Sequence, residues 1–93
     1  MKLDKVIRMI DNKEYVSVEH DTIGKLSWYD MKFENGIVRV EKSLGANGES
    51  DSYLVLYIIP SKRTATEIWN GDYRSNAYYI FSNIYNELER IFE

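Results

Sequence analysis

Asn35-Gly36 stands between two runs of alternating residues, Tyr29-Asp30-Met31-Lys32-Phe33-Glu34 and Ile37-Val38-Arg39-Val40-Glu41. An Asn-Gly pair in that setting is the strongest short-range hairpin signal, because a type I′ turn needs positive φ at both central residues. A two-residue turn there predicts that Glu34 opposes Ile37, Phe33 opposes Val38 and Met31 opposes Val40. Tyr29, Met31, Phe33, Val38 and Val40 then share one face, which suits a core. Asp30, Lys32, Arg39 and Glu41 occupy the other, with Lys32 diagonal to Glu41 and Asp30 diagonal to Arg39. That second face is expected to be wet.

The elements around this hairpin follow from periodicity. Leu3, Val6, Ile7 and Ile10 recur at helical spacing and predict a short helix that stops near Asn12-Lys13. Tyr15 to His20 alternates as a strand, with Val16 and Val18 on one side, and a polar loop from Asp21 to Lys25 follows. Ser43 to Ser52 is rich in Gly, Ser and Asn and reads as a mobile loop. Tyr53 to Ile59 is apolar at every position and closes at Pro60, as expected of a central strand covered on both faces. Leu54, Leu56 and Ile58 suit a helix-packed core, which leaves Tyr53, Val55, Tyr57 and Ile59 beside the charged hairpin residues.

Thr64 to Trp69 reads as a short edge strand ended by Asn70-Gly71. From about Tyr73 to Phe92, Ala77, Ile80, Phe81, Ile84, Leu88 and Ile91 follow the helical period, with Asp72 or Ser75 able to cap the start. Tyr78, Tyr85 and Phe92 widen that stripe. The order α-β-β-β-β-(β)-α predicts a single α+β domain over 1–93. Its antiparallel sheet of four to five strands carries both helices on one face. Strand order stays open.

Ninety-three residues without a cysteine exclude disulfides and thiolate metal sites, so self-association or very good packing must stabilise the domain. The formal charge of −3 argues against non-specific duplex binding, which depends on many Lys and Arg contacts to phosphate. Asp4, Lys5 and Arg8 interrupt any signal peptide, and the longest apolar run is too short to span a bilayer, so the cytosol is the expected compartment.

Catalytic constellations are not found. Glu19-His20-Asp21 surrounds the one histidine, but strand neighbours point to opposite faces and cannot converge on a metal without a bend. Any serine would have that lone histidine as its base, and no G-x-S-x-G elbow occurs. Gly45-Ala46-Asn47-Gly48 lacks the lysine and following helix of a phosphate-binding loop. Glu87 and Glu89 read as a solvated helix face. No enzyme, cofactor or metal is expected.

Binding is the remaining class. Eight tyrosines, each able to bury area while keeping a polar tip, suit an interface. Tyr53 and Tyr57, with Val55 and Ile59 and with Trp28 and Tyr15 as neighbours, predict an aromatic patch on the sheet face away from the helices. The alternative is that an edge loop or the segment from Lys62 to Glu67 folds over it. Trp69 and Tyr73 add further candidate contacts. A nucleic-acid reading would use Lys62, Arg63, Trp69, Tyr73 and Arg74, which mix rings with cations, although Glu67 and Asp72 interleave. A homodimer through the Tyr53/Tyr57 face is a third reading.

The opening residues from Met1 to Tyr15 bear on the choice. Met1, Ile7, Arg8, Ile10, Asn12, Lys13 and Tyr15, with Leu3, Val6 and Glu14 as conservative matches, resemble the start of small phage-encoded anti-CRISPR inhibitors of Cas9 from Listeria prophage. Those inhibitors open with a short helix and an Asn-Lys-acid-Tyr step into a strand. The resemblance covers one sixth of the chain. Beyond it the family has a dense acidic stretch that mimics DNA, which this sequence does not match, so no inhibitory residue carries over. The resemblance implies a stoichiometric protein inhibitor from a phage or mobile element, with a CRISPR effector nuclease as partner.

Overall fold

In a computed structural model that describes residues 1–92, the chain builds a five-stranded antiparallel meander with helices at each end. The elements are α1 (Leu3–Asp11), β1 (Ser17–Ile23), β2 (Leu26–Phe33), β3 (Gly36–Ser43), β4 (Ser52–Ile59), a 3-10 turn (Pro60–Lys62), β5 (Thr64–Gly71) and α2 (Tyr78–Phe92). Strand order follows chain order, so every connection joins neighbours. The α+β architecture expected from the sequence is the one observed.

One sheet face is the core. Tyr29, Met31 and Phe33 of β2, Val38 and Val40 of β3, and Tyr53 and Val55 of β4 are buried there. Val6 and Ile10 close it from α1, one helical turn apart. Phe81, Tyr85 and Leu88 close it from α2 at the spacing that puts three residues on one stripe. Tyr85 is therefore central to the α2 stripe, while Ile80 and Ile91, which the periodicity places in it, stay exposed.

The β2–β3 hairpin forms, but one residue earlier than expected. Phe33 opposes Gly36, Met31 opposes Val38 and Asp30 opposes Arg39 directly. The loop is Glu34-Asn35, and neither these residues nor Gly36 has positive φ. Gly36 serves another purpose: a Cβ there would lie 2.7 Å from the Tyr57 hydroxyl and 2.9 Å from the Ile58 carbonyl oxygen. Because the pairing moved by two positions, the inward and outward sets are unchanged.

Three boundaries also differ. β1 runs to Ile23 and turns through Gly24-Lys25, where Gly24 has φ +59°. Within it Val18 faces the core, and Val16 lies outside the strand and exposed. β5 extends through Asn70-Gly71, with Ile68 as an extra residue at a bulge. α2 begins at Tyr78 rather than near Tyr73. Asp72 Oδ1 accepts from the Arg74 amide at 3.0 Å, and the Asp72 amide donates to Ser75 Oγ at 3.2 Å. These local bonds hold a turn where a helix would otherwise begin, and Ala77 at φ 69° separates turn from helix.

The largest correction concerns β4. Val38 opposes Tyr57 and Val40 opposes Val55, so Tyr53, Val55 and Tyr57 lie on the helix-covered face. Leu54, Leu56 and Ile58 lie on the other, reversing the sequence expectation. Tyr53 is buried against Tyr78 and Tyr85, with ring centroids 5.6 and 5.8 Å away.

Candidate functional site on the open sheet face

The face that neither helix covers is set out by the register. Across its middle run Glu19, Asp30, Arg39, Leu56 and Glu67. On one side lie Ser17, Lys32, Ile37, Ile58 and Ala65. On the other lie Asp21, Trp28, Glu41, Leu54 and Asn70. Leu54, Leu56 and Ile58 form a stripe along β4, joined by Ile37 on β3. All four side chains are half-buried by their neighbours alone.

At the centre is a fixed ion pair. Arg39 Nε donates to Asp30 Oδ1 at 2.7 Å and Nη2 to Oδ2 at 2.9 Å, a bidentate fork. The same guanidinium lies 4.8 Å from the Trp28 ring centroid. Hydrogen bonding to Asp30, then the charges of Asp30 and Glu41, hold the Arg39 pKa above its ordinary value despite partial burial. Trp28, Arg39 and Asp30 thus form one stack whose members lock each other in place. Lys32 Nζ reaches Glu19 Oε1 at 2.7 Å beside it. Glu67 accepts from Asn70 Nδ2 at 2.6 Å.

The β5 end of this face opens into a cavity of about 640 Å³ lined by Glu41, Leu54, Glu67, Asn70, Asp72 and Arg74, among others. Arg74 is tied to Asp72 at 2.7 Å, and that guanidinium holds the Asp72 carboxyl below its usual range.

Of the aromatic residues singled out from sequence as partner contacts, the structure puts Trp28 alone on this face. Tyr53 is core, and Tyr57 is half-buried beside Gly36 on the helix side, so these two build no exposed aromatic patch. Tyr15 packs edge-on against Phe33 at 6.0 Å and Phe92 at 6.4 Å. Trp69 stacks on Phe81 at 5.0 Å from the helix-covered face. Tyr73 is exposed on the turn after β5.

The nucleic-acid set is not assembled either. Lys62 and Arg63 lie at the turn before β5, and Tyr73 and Arg74 follow its far end. An eight-residue strand separates them by roughly 25 Å, and Arg74 is already paired.

Glu19 and Asp21 project on the open face while His20 pairs with Tyr29 on the other, its ring 4.5 Å from the tyrosine's. Among the described residues no group of three or more His, Cys, Asp or Glu could hold a metal ion. No helix among them is long and apolar enough to cross a membrane.

Sequence reasoning missed Ile37, Leu54, Leu56 and Ile58 as surface residues. The signal was the doubly apolar β4, but the loop before it left its parity open. Comparison with family models, curated proteins and solved structures finds no match, so the open face stands on its own geometry.

Proposed function

We propose that this chain is a stoichiometric inhibitor that works by binding a protein, with the open sheet face as its contact surface. One observation carries the reading. Leu54, Leu56, Ile58 and Ile37 form a contiguous apolar stripe beside the locked Trp28–Arg39–Asp30 stack, and neither helix covers it. Contiguous apolar surface with a polar rim is the anatomy of a protein interface, and tryptophan and arginine dominate the energetic centres of such surfaces. A rigid sheet loses little entropy when it docks, which suits an inhibitor that must compete without turnover.

The N-terminal resemblance nominates a CRISPR effector nuclease as the first partner to try. The test is a titration of the chain into a guide-loaded effector, with target cleavage as the readout. Loss of cleavage at one equivalent, abolished by Leu56→Glu, supports the proposal. Full cleavage at large excess removes the nuclease as partner. Inhibition that survives Leu56→Glu removes the face.

A further inference from the structure

The distribution of charge on the open face says what kind of surface it meets. Among the strand residues of this face, Glu19, Asp21, Asp30, Glu41 and Glu67 project against Lys32 and Arg39, an excess of three carboxylates. Asp30 is neutralised by Arg39 and Glu19 by Lys32. Asp21, Glu41 and Glu67 make no ion pair among the described residues: Arg39, whose charge Glu41 feels, is forked onto Asp30, and Asn70, which bonds Glu67, is neutral.

Two of these surplus carboxylates flank the apolar stripe. Glu41 opposes Leu54 from β3, and Glu67 opposes Leu56 from β5. They sit two strands apart, about 10 Å, and one inward–outward repeat out of line, about 7 Å, hence roughly 12 Å from each other. Both line the cavity, as does Leu54. The other cation near that cavity, Arg74, is held by Asp72.

Resting on the reading of this face as a protein-binding surface, we infer that its partner is a cationic protein surface with two Lys or Arg side chains roughly 12 Å apart astride an apolar centre. The apolar centre lies on Leu54, Leu56 and Ile58, and the two cations meet Glu41 and Glu67. In an extended partner segment that spacing is i to i+4, about 13 Å. A second copy of this chain is a poor occupant, because it would bring the same surplus carboxylates against Glu41 and Glu67. Like charges placed together across an interface oppose association.

The experiment uses two acetylated, amidated peptides, Arg-Val-Leu-Val-Arg and Glu-Val-Leu-Val-Glu, added to the isotope-labelled chain at low salt. Amide shifts are followed by nuclear magnetic resonance. The arginine peptide is expected to shift amides of β3, β4 and β5 around Glu41, Leu54 and Glu67, and to bind at least tenfold more tightly than the glutamate peptide. Glu41→Gln with Glu67→Gln should remove most of that preference while leaving the spectrum otherwise folded. Added salt should do the same.

Equal binding of the two peptides, no binding of either, or shifts confined to the groove between α1 and α2 lined by Ile10, Tyr15, Ile80 and Leu88 would overturn the inference. If Leu56→Glu abolishes inhibition of a partner while the double glutamine variant does not, the face is confirmed and cationic recognition alone is overturned.

Discussion

The Tyr57 hydroxyl occupies the place where a side chain at Gly36 would begin, 2.7 Å from an ideal Cβ. This contact ties the start of β3 to the end of β4 and gives Gly36 a packing role in place of a turn role. Gly36→Ala should cost about 1–3 kcal/mol, the usual range for overpacking. The cost should shrink in a Tyr57→Val background, because the ring is the flexible obstacle. Denaturant unfolding of the two single variants and the double variant measures that coupling. Equal penalties in both backgrounds would place the strain against the Ile58 backbone instead.

The two parities of β4 should respond oppositely to substitution. Tyr53 is 4% exposed, so Tyr53→Ala should destabilise by about 3 kcal/mol or more. Leu56→Glu, on the uncovered face beside Arg39, should stay within about 1 kcal/mol of the parent. Urea midpoints measured side by side decide it. A large loss from Leu56→Glu would mean that this face is buried in solution.

How far the sequence reveals this arrangement differs from element to element. The alternation in β2 and β3 identified a hairpin and its inward residues, because a period of two survives a shift of two in pairing. Turn position does not survive, since Asn35-Gly36 reads as a backbone signal while Gly36 answers to Tyr57. β4 is apolar at every position, so period carries no face information. The eight residues between β3 and β4 leave its parity undetermined. That ambiguity put Tyr53 and Tyr57 on the surface and Leu54, Leu56 and Ile58 in the core. Trp28, expected as a neighbour of Tyr53 and Tyr57, keeps the open face because it shares the parity of Asp30 and Lys32 on β2. The late start of α2 came from competition by Asp72 and Ser75 side chains, which periodicity does not weigh.

The Asp30–Arg39 fork should be a coupled pair. Asp30 is 9% exposed as a residue, so Asp30→Asn leaves a partly buried guanidinium without its carboxylate. A loss of about 1–3 kcal/mol is expected, between the values for exposed and fully buried pairs. In a double-mutant cycle Arg39→Met should recover part of it. Independent, additive losses would show that the fork contributes little.

Acid should release two surface carboxylates late. Hydrogen bonds from Arg74 hold Asp72 below its ordinary pKa, and Arg90 does the same for Glu87. A carboxyl whose folded pKa is depressed stabilises the fold above its unfolded value. That contribution is lost as pH falls through the folded value. Carbon-detected titration should therefore place both midpoints below those of unpaired carboxyls. Arg74→Ala and Arg90→Ala should each return its own partner to the ordinary range and leave the other unmoved.

The two tryptophans should report different events. Trp69 stacks on Phe81 at 5.0 Å beneath the helix-covered face, and Trp28 lies on the open one. Single-stranded oligonucleotide should leave the emission of both unchanged at low salt, whereas a protein partner should alter Trp28 alone. Trp69→Phe isolates the responsive ring. Strong quenching by oligonucleotide in that variant would bring the nucleic-acid reading back.

The most direct test of the open face is a parallel capture from cell lysate with three baits: the parent chain, Leu56→Glu and Ile80→Glu. Ile80 lies on α2 in the groove between the helices and serves as a control on a different exposed apolar site. One protein is expected in near-equimolar amounts with the parent and with Ile80→Glu, and lost with Leu56→Glu. A partner that Leu56→Glu retains and Ile80→Glu loses would place the binding surface on the helices and rule out the open face.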